Sequence, residues 1–337
     1  LSVTIKDVAR AAKVSVATVS RALNGHDNVT EKVRARVHEA ATRLHYTPHH
    51  AARSLSSRRT HTIGVVLPDL HGEFFSELMR GIDLVAREQG LHLLVSSYHG
   101  NPEEQAAALR TMRGRVDGLL VMAPHVDHAG SVAQNLGSMP TVLLDTRDTL
   151  GAFPTVGIDN YGGAVAMVEH LVDAGHRQIA FIAGPEHNFD AMERLRGYRE
   201  ALAQRLPRSK PRVLQGDFGE ASGHAAGRAL LTAKPKPDAV FAANDMMALG
   251  CLFAFNQAGI KVPQDIALAG FDDIPLARLV VPALTTVQVR IAELGGSAAR
   301  MLLALGDARP SAARRILLPP QLIVRESSVR TPRKRAR

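Results

Sequence analysis

TIKDVARAAKVSVATVSRALN, running from Thr4 to Asn24, decides how the rest of the chain is read. Ile5, Val8, Ala9 and Ala12 recur at i, i+3, i+4 and i+7, which lays one apolar stripe along a short helix. Thr4 followed three residues later by Asp7 is the capping-box spacing that starts such a helix. Ser15 is an N-cap for a second helix, whose Val19, Ala22 and Leu23 can fold back on Ile5, Val8 and Val14. The opposite face carries Ala17, Ser20, Arg21 and Asn24, again at i, i+3, i+4 and i+7. Small, hydroxylic, cationic and amide side chains on one helix face suit entry into a major groove. The stretch therefore reads as a helix-turn-helix that binds double-stranded DNA.

Working outward, Thr30 and Glu31 open a third helix with Val33, Val37, Ala40, Ala41 and Leu44 on one face. This gives an all-α headpiece, residues 1–59, with little core of its own. Composition agrees with a DNA-binding head on a larger body. Of 337 residues 45% are hydrophobic and 22% charged, enough for one small and one or two larger packed units. The net charge of +9 is unevenly placed: residues 1–60 hold 11 Lys/Arg against 4 Asp/Glu, and residues 325–337 hold 6 against 1, leaving the middle mildly acidic. A basic head on an acidic body fits a protein that touches phosphate at one end. The basic tail from Arg330 to Arg337 reads as a solvated end.

Apolar runs broken by Gly, Pro, His or charge leave no room for a transmembrane span, and the sequence enters the first helix without an export signal. A lone Cys251, read as a buried apolar side chain, excludes an internal disulfide. These features place the expected protein in the cytoplasm, at the nucleoid, with no membrane partner. No cofactor or metal is expected. His170 and His176 suggest no third ligand, and the chain lacks G-x-G-x-x-G, P-loop, H-E-x-x-H and G-x-S-x-G motifs, which argues against an enzyme.

From His61 onward strand and helix patterns alternate. Apolar runs at Thr62 to Leu67, Leu91 to Ser96, Val116 to Met122 and Pro140 to Leu144 form one series. Runs at Gln178 to Ala183, Ala239 to Ala243 and Ile266 to Gly270 form a second, separated by helical stretches that begin at Tyr161, Ala191 and Asp245. Continuous apolar strands between amphipathic helices imply an α/β core of two doubly wound parallel-sheet lobes. Ligands in such sheets bind beyond the carboxyl ends of the strands. Asp69, Asp145, Asn244 and Asp272 stand there. Arg194 lies on the helix predicted over Ala191 to Ala203, and Asn188 and Asp190 lie in the loop before it. These groups can each hold neighbouring hydroxyls of a sugar, with Phe74, Phe75 and Phe218 to cover its apolar face. The bland alternatives are that Asp69 and Asp145 cap helices, that Arg194 is a solvated charge and that the phenylalanines are core. Asp245 is read as an N-cap.

The run VSVATVSRALN, Val14 to Asn24, resembles the recognition segment of the lac repressor (LacI/GalR) family of bacterial transcription regulators. ANDMMALG from Ala243 and GFDD from Gly270 resemble two motifs of that family's core, and the resemblance spans essentially the whole chain. It implies base contacts from Val16, Ala17 and Arg21, and phosphate contacts from Thr18, Ser20 and Asn24. Lys13 stands where the family usually has a turn glycine. YTPHHAARSL, Tyr46 to Leu55, is similar to the family's hinge, a short helix over about 47–57 that pairs with its dimer mate. Leu55 would wedge into the minor groove with Ala52 and Arg53 beside it. For the core, residues 60–337, the resemblance implies a periplasmic-binding-protein-like pair of lobes, about 61–160 with 289–320 and about 161–288. It implies an effector pocket lined by Phe74, Asn188, Asp190, Arg194, Phe218, Asn244 and Asp272. The expectation is a homodimeric repressor of carbohydrate genes that binds a near-palindromic operator and answers to a small sugar. Two alternatives stand beside it: a regulator controlled by a non-sugar ligand such as a nucleobase, and a solute-binding sensor without a DNA role.

Overall fold

The computed structural model describes residues 3–24, 28–46, 59–124, 134–145, 153–306 and 314–329. The chain divides into two compact units, residues 1–60 and 61–337. In the first, α1 (Ile5–Ala12), α2 (Val16–Leu23) and α3 (Glu31–Arg43) pack pairwise against one another. Val8, Ala12, Val19 and Val37 are fully buried between them, with Ile5, Val14 and Leu23 packed around the edge. The start of α1 is fixed as its spacing foretells: the Asp7 carboxylate accepts the Thr4 N–H at 3.0 Å and the Thr4 hydroxyl at 2.7 Å. Those two bonds hold Asp7 below the usual carboxylate pKa. Lys13 ends α1 in the left-handed region, φ 51° and ψ 47°, and Val14 N–H closes the turn on the Ala9 carbonyl at 3.1 Å. An L-residue pays roughly 1–2 kcal/mol for that conformation, which a glycine would not.

The second unit holds two parallel sheets. The first contains β1 (Thr62–Leu67), β2 (His92–Ser97), β3 (Gly118–Met122), β4 (Thr141–Leu144), β5 (Thr155–Ile158) and, from near the end of the chain, β11 (Arg315–Leu318). Its order is β11-β5-β4-β3-β1-β2, all neighbours parallel. The second contains β6 (Ile179–Ala183), β7 (Arg212–Gln215), β8 (Ala239–Ala242) and β9 (Ala267–Ala269) in the order β7-β6-β8-β9. β3, β4, β6 and β8 are buried at every residue, as strands covered on both faces must be. An antiparallel pair, β10 (Thr286–Gln288) with β12 (Gln321–Ile323), lies where the chain passes between lobes.

The sheets are covered by α4 (Glu73–Glu88), α5 (Pro102–Met112), α6 (Asn160–Asp173), α7 (Phe189–Arg205), α8 (Glu220–Leu231), α9 (Asp245–Gln257) and α10 (Ile291–Leu305). α10 packs on α4 and on β3, β4 and β5, so the chain after Gln288 rejoins the first sheet before β12 leaves it again. Glycine makes the α4–α10 contact possible: a Cβ on Gly81 would sit 1.9 Å from the Ala292 carbonyl oxygen. No helix among the described residues is long and apolar enough to cross a membrane.

Candidate functional site

In the headpiece the face of α2 expected to read DNA is free of the core. Ser15 caps the helix, its Oγ accepting the Thr18 N–H at 3.1 Å and lying 2.8 Å from the Thr18 hydroxyl. Val19 and Ala22 face inward, while Val16, Ala17, Arg21 and Asn24 are exposed and Thr18 and Ser20 are half-buried. Asn24 Nδ2 donates to Ser20 Oγ at 3.4 Å. Arg21 is the long cationic side chain of α2, and Lys6, Arg10 and Lys13 are exposed on and after α1. A short helix with small side chains leading and a guanidinium behind can approach base edges closely. The expected hinge residues Ala52, Arg53 and Leu55 lie outside the described residues.

In the core, residues from both lobes meet around Arg194. Asp145 follows β4 of the first sheet, and Asp190 and Arg194 come from the first two turns of α7 on the second lobe. Asp272 follows β9. All four are at least nine-tenths buried. Arg194 Nη1 stands 3.0 Å from Asp272 Oδ1 and donates to the Ala243 carbonyl at 2.6 Å, while Nε donates to Asn160 Oδ1 at 2.8 Å. Asn160 passes the contact on, its Nδ2 donating to Asp190 Oδ1 at 2.8 Å. The guanidinium lies 3.9 Å from the Phe271 ring centre and 5.8 Å from that of Phe218. Arg194 is thus a buried keystone, not a solvated helix charge.

Three carboxyls share this one cation. Burial raises Asp272 to about 6, with Arg194 opposing the shift. Burial also raises Asp190 to about 7, against Arg194 and with the repulsion of Asp272. Asp145 goes well above the ordinary carboxylate value, through burial first and then the Asp190 charge. Neither Asp145 oxygen has a hydrogen-bond partner among the described residues. The backbone is strained at the same place: Asp145, Phe218 and Asp272 have φ of 40°, 73° and 112°. Asp tolerates the left-handed region, but for Phe218 it is a costly conformation held by its surroundings.

The remaining expected residues divide. Asn188 is the N-cap of α7, accepting the Ala191 N–H at 3.0 Å, so α7 begins at Phe189 and Asp190 lies in its first turn and not in the preceding loop. Asn244 caps α9 by accepting the Met247 N–H at 3.0 Å and donates Nδ2 to the Phe218 carbonyl at 2.9 Å, which ties the Phe218 loop to the cluster. Asp245 is therefore not the cap. It is the first residue of α9, fully buried, and its carboxylate accepts Thr286 Oγ1 at 2.6 Å and Ile274 N–H at 3.0 Å. Asp69 is exposed and accepts the N–H groups of Leu70 and His71 at 2.6 and 3.0 Å, holding the loop before α4, whose N-cap is Gly72. Phe74 is half-buried and meets Phe75 edge to face at 5.5 Å. Beside it Glu73 accepts the Leu276 N–H at 3.1 Å, and the Phe189 N–H reaches the Pro124 carbonyl at 2.8 Å, so two bonds join the lobes.

Comparison with known proteins decides the family. The description "Bacterial regulatory proteins, lacI family" matches residues 4–49, and "Periplasmic binding protein-like domain" matches residues 168–328. Catabolite control protein A of Priestia megaterium is 34% identical over 331 residues, covering 97% of this chain and all of the relative. The chain belongs to the lacI family. The lac repressor dimer bound to operator and the anti-inducer ONPF matches with a TM-score of 0.87 at 30% identity, over 98% of this chain and 100% of that one. The complex of the transcriptional regulator CelR with cellobiose matches with a TM-score of 0.71 at 32% identity, over 96% and 99%. This lacI-family chain is a DNA-binding transcriptional regulator, with the headpiece and two-lobed core expected from its sequence.

Within the lacI-family core, sequence reasoning missed Asn160 and Phe271. Asn160 sits one residue past Asp159 at the end of β5, a strand too short and too interrupted by Gly157 to stand out. Recognising Thr155 to Ile158 as a strand would have placed Asn160 at a carboxyl end, beside Asp145. Phe271 was seen only as part of a motif; its ring under Arg194 is a contact between segments far apart in the chain.

Proposed function

We propose that this regulator binds a near-palindromic operator as a homodimer at the nucleoid, as a repressor whose DNA affinity is set by a sugar held between the lobes of its core. The observation that carries the effector reading is the buried polar cluster drawn from both sheets, with Arg194 beside Asp272 and Asp145 raised by burial among them. A sugar hydroxyl both donates and accepts, so it can meet carboxyls and amides at once, and the Phe218 ring supplies an apolar face. Seating between lobes that are joined by the Glu73–Leu276 and Phe189–Pro124 bonds lets a ligand bias how the lobes close. The known complex of the related CelR with cellobiose supports the same class of ligand.

On the DNA side, Val16, Ala17 and Arg21 read base edges while Thr18, Ser20 and Asn24 reach phosphates. The test is selection of binding sites from random duplex DNA by the full-length protein. Wild type should enrich an inverted repeat, and Arg21→Ala should lose about 1–3 kcal/mol of discrimination at one base pair of each half-site. An unchanged preference in the variant would remove Arg21 from base reading.

A further inference from the structure

The turn between α1 and α2 holds a residue that its backbone disfavours. Val14 N–H reaches back to the Ala9 carbonyl at 3.1 Å and Lys13 N–H to the Arg10 carbonyl at 3.3 Å, a helix ending that puts Lys13 in the left-handed region. Glycine adopts that region freely, whereas a residue with a long side chain is strained there. Val14 packs with Ala9 in the headpiece core, so the neighbours fix the turn and leave Lys13 no easier conformation. Such strain at an exposed position points to a use for the side chain.

The use lies in where the charge stands. Lys13, Ser15, Val16 and Ala17 are exposed together at the entrance to α2, which Ser15 caps. α1 and α2 carry one carboxylate between them, Asp7, and it is taken by the Thr4 hydroxyl at 2.7 Å and by Arg10 at 3.2 Å. Neither helix therefore supplies Lys13 with a counter-ion. An ammonium on a flexible four-carbon stem, placed just ahead of a helix that enters a groove, is suited to the phosphates that wall that groove. The same charge also suits the negative end of α1, so the experiment must separate the two roles.

We infer that Lys13 is a DNA-backbone contact, its ammonium binding a phosphate beside the point where α2 enters the major groove. The inference rests on the reading of α2 as the helix that enters. A phosphate contact carries no sequence information, so Lys13 holds the register of α2 while Arg21 and its neighbours read bases.

The experiment titrates the selected operator and a random duplex with full-length wild type, Lys13→Gly, Lys13→Gln, Lys13→Arg and Arg21→Ala across about 50–200 mM salt. Hydrogen exchange follows the amides of α1 and α2 in each protein. Lys13→Gly and Lys13→Gln should bind operator and random duplex more weakly by similar factors, and the slope of log affinity against log salt should shrink by about 1.8 for the two copies of a dimer. Lys13→Arg should keep the slope. Lys13→Gly, relieved of strain, should exchange no faster than wild type even as it loses affinity. A wild-type slope in Lys13→Gly overturns the inference. A loss confined to Lys13→Gln, with faster exchange along α1 and α2, also overturns it, because Lys13 then acts only through the turn. Operator binding that neither Lys13→Gly nor Arg21→Ala alters removes the reading of α2 as well; an effect of Arg21→Ala alone removes only the inference.

Discussion

At the scale of single residues, the site is a contest over protons among Asp145, Asp190 and Asp272 beside one arginine. Asp190 shows the consequence for stability. Its pKa is about 7 in the folded protein against an ordinary 3.8. Between those values the folded chain keeps a proton that the unfolded chain has released, so this group's contribution to stability falls as pH rises through the window and its full cost is present above it. Asp190→Asn removes the titration while keeping the shape. At about pH 8 it should be more stable than wild type by on the order of 3 kcal/mol, and the difference should fade toward about pH 4. Melting curves across pH check this, and an unchanged profile would show that Asp190 is not the strained group. The residue types of this cluster were legible in the sequence because they stand after strand ends. Their protonation and the loss of Arg194 to internal partners were not, since both depend on burial that only the fold creates.

Among the elements, the sequence shows the buried apolar strands and the edge strand His92–Ser97, whose Leu93, Leu94 and Val95 carry the pattern, and hides the shorter and more polar ones. Gly118–Met122 and Ile179–Ala183 are buried along their length, Thr62–Leu67 at all but its first residue, and they announce themselves. Arg212–Gln215 and Arg315–Leu318 lie at sheet edges with part of their surface in solvent, so their polar residues blur the pattern. Caps were legible to within a residue: the chemistry of Asn244-Asp245 permits either as the cap, and the Met247 N–H chooses Asn244 because the Asp245 carboxylate is drawn to Thr286 and Ile274. The α4–α10 contact is an element-scale lock, since Gly81 and Gly295 bring backbone against backbone. Gly81→Ala would thrust its Cβ at the Ala292 carbonyl, and a main-chain oxygen cannot swing aside. The variant should lose about 1–3 kcal/mol of core stability in chemical denaturation. Wild-type stability would mean that the two helices can slide apart freely.

For the whole molecule, the proposed control needs a ligand in the core to act on the DNA-binding unit through lobes that two hydrogen bonds and the crossing segments hold together. Fold class and the order of the units were readable from the alternation of patterns and the charge asymmetry, because those follow from composition along the chain. The coupling was not, because it is a difference between states. Linkage sets its form: a sugar that changes operator affinity by a factor must itself bind the operator complex more weakly or more tightly by that factor. A variant that tests this must leave the keystone intact. Removing Arg194 would strand buried carboxylates without their cation, which costs about 3–5 kcal/mol and confounds folding with response. Asp145→Asn removes an acceptor that no described residue uses and keeps the volume.

The decisive measurement is therefore a titration of the selected operator by wild type and Asp145→Asn, each with and without the sugar that stabilises wild type most. The account predicts that the sugar shifts wild-type affinity by about 5–150-fold, while the variant matches wild type in the absence of sugar and loses most of the response. A variant that responds to the sugar as wild type does would contradict the account and place the effector site elsewhere.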